Sequence, residues 1–187
     1  MTDCSGHGLF KFNKNYELVN KIILEDFDPQ MVTVVDEQVV VTQVSKPALV
    51  FTRNLDLIRA INCSKNGRGI AHDKDGKLYI CNYEGCQIQA VTLKGLDQDS
   101  MYSFGGKEQD VMKYPNSICV DGGLVYVTHW TMNDCFVSVF TREGVYVTSF
   151  GSYGQANGCF RFPIGLAVDA EGVLYVCDYG NNRIQLF

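Results

Sequence analysis

The residues best suited to chemistry are aromatic and basic side chains that recur along the chain. Aromatic rings beside cations can stack on planar groups or anchor a peptide, and each stacked base contributes about 1–3 kcal/mol. The alternative is that the aromatic residues fill gaps between packed sheets, with only their polar tips at the surface. The pattern predicts a surface called here the partner-binding face, which consists of Tyr83, Trp130, Tyr179, His129, Lys65, Lys113 and Arg161.

The sequence gives no support for catalysis. The three histidines, His7, His72 and His129, lie in unlike registers, whereas a catalytic zinc requires three protein ligands around one cavity. No G-x-S-x-G elbow, Gly-rich phosphate loop or H-E-x-x-H motif occurs. We therefore predict no catalytic residue, no metal site and no cofactor.

A repeated unit must position these side chains. Three aspartates recur every 48 residues, each within a pattern of strand, tight turn and strand. Each aspartate is expected to accept backbone N–H bonds, and each nearby glycine is expected to adopt a positive φ. The predicted turn residues are Asp73, Gly76, Asp121, Gly123, Asp169 and Gly172. Dipeptides Tyr114-Pro115 and Phe162-Pro163 are predicted only to direct the loop into the next strand.

Two further strand patterns follow each turn unit, and four strands in series are typical of a propeller blade. We predict an all-β fold, with residues 1–187 forming one β-propeller domain of about four blades. The predicted blades cover residues 30–62, 66–105, 114–151 and 161–187. Strands within residues 8–24 either complete the last blade and close a small ring or belong to an arc of a larger propeller. An open arc would expose strand edges and favour self-association.

Composition limits the classes of partner and compartment. The chain has 187 residues, 46% of them hydrophobic, and a formal net charge of −5, so it has no general attraction for nucleic acid. Its eight cysteines include no close C-x-x-C pair, which favours reduced thiols in the cytoplasm over a disulfide framework. No apolar run is long enough to cross a membrane, so no membrane association is predicted.

The last copy contains Phe160-Arg-Phe-Pro163, Gly165-Leu-Ala-Val-Asp169, Gly172, Leu174-Tyr-Val176, Asp178 and Asn181-Asn-Arg-Ile-Gln185. This series of residues resembles the NHL repeat. The third copy keeps Tyr114-Pro115 and the Val-Asp core, and the earlier copies keep less. The resemblance spans almost the whole chain and weakens toward its N-terminus.

This resemblance implies a function in recognition. NHL propellers commonly recruit substrates for tripartite-motif ubiquitin ligases, which predicts a protein-binding module linked to ubiquitin ligation and proteasomal degradation. Binding of single-stranded RNA is the alternative, on a basic face made of Lys46, Lys65, Lys113, Arg161 and Arg183. An amidating-lyase type of enzyme shares the repeat and is the least favoured reading, because histidines are sparse.

Overall fold

Antiparallel strands make up nearly all of the regular structure. The computed structural model describes residues 1–3, 8–61, 63, 66–93, 100–106 and 111–187. Val, Ile, Tyr and Phe dominate the strands, because β-branched and aromatic side chains fit a pleated, half-buried surface. The predicted all-β propeller fold is confirmed.

The strands form five sheets in chain order. The first sheet contains β1 (Thr2–Asp3), β2 (Gly8–Phe12) and β3 (Leu18–Ile23). The second contains β4 (Pro29–Val35), β5 (Gln38–Gln43), β6 (Leu49–Thr52) and β7 (Leu57–Ala60). The third contains β8 (Gly67–His72), β9 (Lys77–Asn82), β10 (Gln87–Thr92) and β11 (Ser100–Gly105).

The last two sheets repeat this order. The fourth contains β12 (Pro115–Asp121), β13 (Leu124–Trp130), β14 (Cys135–Thr141) and β15 (Tyr146–Phe150). The fifth contains β16 (Pro163–Val168), β17 (Leu174–Asp178) and β18 (Arg183–Leu186), with a 3-10 turn, Tyr179–Asn181, between the last two. Sheets two to five begin and end within two residues of the four predicted blades.

Apolar faces join each sheet to the next. The innermost strands pack in series, with β4 against β8, β8 against β12 and β12 against β16. Between the third and fourth sheets, Tyr79, Cys81 and Ile88 pack on the side that presents Val125 and Val127, and all five are buried. Because the sheets stack in series, the ends of their second strands lie along one edge of the molecule, which is called the rim.

The segment at residues 8–24 does not complete the last blade. Strands β2 and β3 pair with each other, and β2 also pairs with β1, so they form a separate first sheet. Leu9 of β2 is buried against Val39 and Val41 of the second sheet, which fixes this position. In the described part of the chain, β18 pairs with β17 alone.

Two of the three predicted aspartate turns have the same geometry. Asp73 Oδ1 accepts the backbone N–H groups of Asp75 and Lys77, both at 3.0 Å, and the Tyr79 hydroxyl donates to Oδ2 at 3.2 Å. Asp169 makes the equivalent three bonds with Glu171, Val173 and Tyr175, at 2.9–3.0 Å. Gly76 and Gly172 have φ values of 79° and 86°.

The Asp121 turn is built differently. Asp121 pairs with Leu124 across the hairpin, which leaves a two-residue loop made of Gly122 and Gly123. Both glycines have positive φ, 54° and 85°, as a tight type I′ turn requires. This loop is one residue shorter than the other two turns, and the side chain of Asp121 is exposed.

Candidate functional site

A buried polar residue lies at or next to the end of the second strand in each of sheets two to five. The Gln43 side chain donates to the Pro47 carbonyl at 2.7 Å, and Asn82 Oδ1 accepts the Gly85 N–H at 3.0 Å. His129 and Asp178 occupy the same position in the next two sheets, and all four side chains are buried. The residue that follows each of them lies nearer the surface, and three of these are Tyr83, Trp130 and Tyr179.

Two of these aromatic residues contact an aromatic residue of the next sheet. The ring centroids of Tyr83 and Tyr114 lie 5.1 Å apart, and those of Trp130 and Phe162 lie 5.3 Å apart in an edge-on arrangement. Tyr114 and Phe162 directly precede β12 and β16, and both have left-handed backbones, with φ of 48° and 51°. These aromatic pairs therefore bridge the joints between the third, fourth and fifth sheets.

The surface exposure of the aromatic residues differs. Tyr179 is 63% exposed and Tyr114 is 41% exposed, whereas Tyr83 and Trp130 are half-buried. The indole N–H of Trp130 is buried without a hydrogen-bond partner in the described structure. Some of these aromatic residues therefore fill the joints between sheets, and others expose their rings to solvent. Sequence reasoning missed Tyr114 and Phe162 as contact residues, although the two aromatic-proline dipeptides stand 48 residues apart.

A guanidinium that sequence reasoning missed lies over this surface. Arg68 stacks on the Tyr83 ring, with its Cζ 4.1 Å from the centroid. Its Nη1 donates to Asn116 Oδ1 at 3.3 Å. Arg68 and Asn116 are equivalent residues of adjacent repeats, 48 positions apart. The sequence feature that could have predicted their contact is therefore the repeat spacing and not either residue alone.

The predicted basic residues that the structure describes have different surroundings. Lys65 lies outside the described residues. Lys113 Nζ lies 3.2 Å from Asp134 Oδ2, in a partly exposed ion pair. The Arg161 guanidinium lies 5.7 Å from the Tyr153 ring centroid, and its backbone N–H donates to Asp178 Oδ1 at 2.7 Å.

His129 was predicted on the partner-binding face, and the structure contradicts that prediction. Its side chain is fully buried, and its ring stacks on Phe136 with a centroid distance of 4.6 Å. Burial lowers the pKa of His129 to about 3, and the nearby Lys113 backbone carbonyl opposes this shift. Neither ring nitrogen makes a hydrogen bond of normal geometry in the described structure. His129 is a neutral core residue and cannot touch a partner.

Asp178 anchors the fifth sheet. Its Oδ2 accepts hydrogen bonds from Asn181 at 2.9 Å, from Arg183 Nε at 2.8 Å and from Gln185 at 3.1 Å. Arg183 Nη2 also donates to two carbonyls of the preceding loop, at residues 156 and 159. Burial raises the pKa of Asp178, but the donated hydrogen bonds and the Arg183 charge outweigh it, so the pKa lies below its usual range. The Asp-x-x-Asn-Asn-Arg run is therefore a structural clasp.

The opposite face carries the turns between first and second strands and is called the turn face. There Arg142 Nη1 lies 3.1 Å from Asp73 Oδ2 and 2.5 Å from Asp75 Oδ2, and Arg53 Nε lies 2.7 Å from Glu37. The hydrogen bond from Arg142 lowers the pKa of Asp75. Arg53 and Arg142 of the turn face are paired with carboxylates, whereas no carboxylate of the described chain pairs with Arg68 or Arg161.

The described residues hold no cluster of three or more His, Cys, Asp or Glu side chains suited to a metal ion. No disulfide joins any two of the seven cysteines that the structure describes. None of the described residues forms a helix with the length and apolar character needed to span a membrane.

The fold defines a β-propeller, and its fifth sheet contains an NHL-type repeat. Residues 160–187 match the family model of the NHL repeat, which confirms the predicted family resemblance. The rat E3 ubiquitin-protein ligase TRIM71 is 30% identical over 119 residues, which cover 62% of this chain and 11% of that protein. The chicken E3 ubiquitin-protein ligase TRIM71 is 51% identical over 39 residues, 21% of this chain and 4% of that protein. The chain therefore spans a small part of these relatives.

Solved structures share the fold at low sequence identity. A streptogramin B lyase structure superposes with a TM-score of 0.75 at 16% identity, covering 98% of this chain and 58% of that chain. Virginiamycin B lyase from Staphylococcus aureus gives a TM-score of 0.74 at 15% identity, covering 100% and 64%. A nidogen/laminin complex gives 0.67 at 16% identity, covering 96% and 69%. At this identity the likeness concerns the propeller architecture alone.

Proposed function

We propose that this chain is a non-catalytic interaction module whose partner-binding face, without the buried His129 and with Tyr114 added, recruits a protein partner. The observation that carries the proposal is the pair of aromatic contacts, Tyr83–Tyr114 and Trp130–Phe162, at consecutive sheet joints of one rim. Tyr and Trp are enriched among the residues that dominate binding energies, because they present large rigid surfaces with a polar tip.

The exposure of individual rings supports this role. Tyr114 and Tyr179 each leave a large part of the ring accessible. Tyr179 lies in the short 3-10 turn between β17 and β18, and the Tyr114 N–H donates to Cys86 Sγ at 3.5 Å. A surface held in this way loses little conformational entropy on binding. The half-buried Tyr83 packs beneath the exposed Tyr114 ring, and the half-buried Trp130 packs against Phe162 at the next joint.

The relatives supply the biological setting of the proposal. The curated proteins similar to this chain are named E3 ubiquitin-protein ligases. In our proposal the bound partner is a protein directed to ubiquitin ligation and degradation, and the module acts in the cytoplasm. The absence of disulfides among the described cysteines suits a reducing compartment.

Single-stranded RNA is the second candidate, and one observation favours it. Arg68 and Arg161 lie over tyrosine rings without a carboxylate partner in the described chain, as in surfaces that contact phosphates and stack bases. The acidic balance of the chain, −5, opposes it. RNA bound through phosphates would show a linear fall of log affinity with log salt concentration.

Capture of partners by the intact chain tests the proposal. We expect Tyr114→Ala combined with Tyr179→Ala to lose the proteins that the unchanged chain retains, whether or not ribonuclease is added. Tyr16→Ala is the matched control, since Tyr16 is 89% exposed and lies in the turn between β2 and β3. Retention of the same proteins by the double variant would disprove the proposed face, and loss of all partners with ribonuclease would favour RNA.

A further inference from the structure

A cleft opens between the second and third sheets at the rim that carries Tyr83. Its cavity of about 230 Å³ is lined by residues that include Ser45, Asn66, Arg68, Tyr83 and Glu84. Pockets for drug-sized ligands measure about 300–1,000 Å³. The cleft is therefore suited to a single side chain of a partner rather than to a whole small molecule.

Hydrogen bonds join the two walls of the cleft. Asn66 Oδ1 accepts the Ser45 backbone N–H at 2.7 Å and lies 3.3 Å from the Ser45 hydroxyl. The Tyr83 N–H donates to the Asn66 carbonyl at 3.3 Å. Ser45 and Asn66 both adopt left-handed backbones, with φ of 55° and 68°. The Ser45–Asn66 contacts therefore fix the second sheet relative to the third at this cleft before any partner arrives.

Arg68 is oriented within this cleft. One face of its guanidinium lies on the Tyr83 ring, which in turn contacts the Tyr114 ring. One N–H group is used by Asn116 Oδ1, and the planar guanidinium offers further donors. A stacked guanidinium keeps its charge and its fork of donors, which match the two oxygens of a carboxylate.

The charge of Arg68 is not neutralised by the described chain. Arg53, Arg142 and Arg183 each lie within 3.1 Å of a carboxylate oxygen, in the pairs with Glu37, with Asp73 and Asp75, and with Asp178. Among the described residues, Arg68 has a neutral amide and an aromatic ring as its side-chain partners. It is therefore the arginine of this rim that combines a fixed orientation, an adjacent cavity and an unmet charge.

We propose that this cleft binds a carboxylate side chain of an acidic, extended peptide segment in the protein partner. This proposal rests on the proposed function and names the chemistry of the recruited segment. Glu84 also lines the cleft, so a single carboxylate beside Arg68 suits the local charge better than a run of phosphates. A nucleic-acid backbone requires several cations along a groove.

The binding test uses two fluorescein-labelled peptides. One alternates Glu with Ser, and the matched peptide alternates Gln with Ser. The intact chain should bind the Glu peptide and not the Gln peptide. Arg68→Gln should weaken binding at least about tenfold, since a hydrogen bond to a charged group is lost. Arg68→Lys should bind with intermediate affinity, because it keeps the charge and loses the planar fork. Glu84→Gln should strengthen binding.

The control is Arg53→Gln, which makes the same charge change on the turn face and should leave binding unchanged. Thermal unfolding of each variant separates a loss of binding from a loss of fold, and Glu84→Gln tests the cleft by a gain rather than a loss. Equal binding of the two peptides, or equal affinities of Arg68→Gln and Arg53→Gln, would overturn the proposal. Binding of labelled polyuridylate, but not of the Glu peptide, in an Arg68-dependent and salt-dependent manner would assign the cleft to RNA.

A failure of the carboxylate-binding proposal can be distinguished from a failure of the proposed function. If Tyr114→Ala with Tyr179→Ala abolishes partner capture while Arg68→Gln retains it, the interaction module stands and the carboxylate cleft is disproved. If both variants retain every partner, the face itself is wrong.

Discussion

Arg183 Nε donates to Asp178 Oδ2 at 2.8 Å, and the Asp178 carboxylate is fully buried beneath the last turn of the fifth sheet. The same carboxylate accepts the Arg161 N–H, so the pair joins the loop before β16 to the loop before β18. A buried ion pair of this kind contributes little against an apolar replacement of both partners, but the loss of one partner is costly.

Asp178→Ala is therefore expected to lower the free energy of unfolding by about 3–5 kcal/mol, because it leaves the donors of Arg161, Asn181 and Arg183 without an acceptor. Urea denaturation followed by circular dichroism measures the change. Glu171→Ala is the matched control: Glu171 is exposed on the turn face, and its removal should cost no more than about 0.5 kcal/mol. Similar losses in the two variants would contradict the clasp.

The contribution of Asp178 should also depend on pH. Its pKa is lowered in the folded chain, so the stabilisation is present above the carboxyl pKa of the unfolded chain, about 3.9, and is lost as pH falls through the lower folded value. The difference in unfolding free energy between the unchanged chain and Asp178→Asn should therefore shrink below about pH 4. A difference that stays constant down to about pH 2 would disprove this linkage.

His129 provides a second pH-dependent term, in a different range. The folded pKa is about 3, whereas an unfolded histidine titrates near about 6.5, so protons bind the unfolded chain first. Stability from the neutral ring is full above about pH 6.5 and declines at lower pH, by at most about 1.4 kcal/mol per pH unit. In His129→Leu the urea midpoint should therefore depend less on pH between about pH 6.5 and 5 than in the unchanged chain. An equal pH dependence in the two proteins would contradict this assignment.

Two glycines allow the stability cost of a left-handed backbone to be measured separately from the cost of a steric clash. Gly144 and Gly172 have nearly equal φ, 88° and 86°, but a Cβ at Gly144 would lie 2.5 Å from Phe104 Cβ, whereas a Cβ at Gly172 would meet no atom within 4 Å. Both alanine variants should lose about 1–2 kcal/mol from left-handed strain. Gly144→Ala should lose about 1–3 kcal/mol more from overpacking. Equal thermal shifts in the two variants would contradict the close contact with Phe104.

The repeat allowed much of the fold to be predicted from sequence. The turns at Asp73 and Asp169 could be anticipated because both the acceptor and the positive-φ glycine are local features. Asp121 departs from them because one residue fewer in the loop permits a two-glycine turn that needs no side-chain acceptor. Strands within residues 8–24 were predicted, but their place in the propeller was left open, because it depends on burial of Leu9 against the second sheet, a contact distant in sequence.

The candidate site was predictable in part for the same reason. The periodicity located Tyr83, Trp130 and Tyr179 but could not tell which rings face solvent, since exposure depends on the adjacent sheet. His129 has the spacing of a rim residue, yet the strand turns its side chain into the core. Arg68 belongs to no motif, and its importance comes from a tyrosine on the neighbouring strand and an asparagine one repeat away.

The contact between Trp130 and Phe162 also has an optical consequence. Trp130 is the single tryptophan of the chain, and its ring lies edge-on against a residue of the following sheet at 5.3 Å. Its emission therefore reports the spacing between the fourth and fifth sheets. A ligand that tilts one of these sheets against the other changes the wavelength and intensity of that emission. Trp130 fluorescence therefore reports changes in the arrangement of these two sheets without an added label.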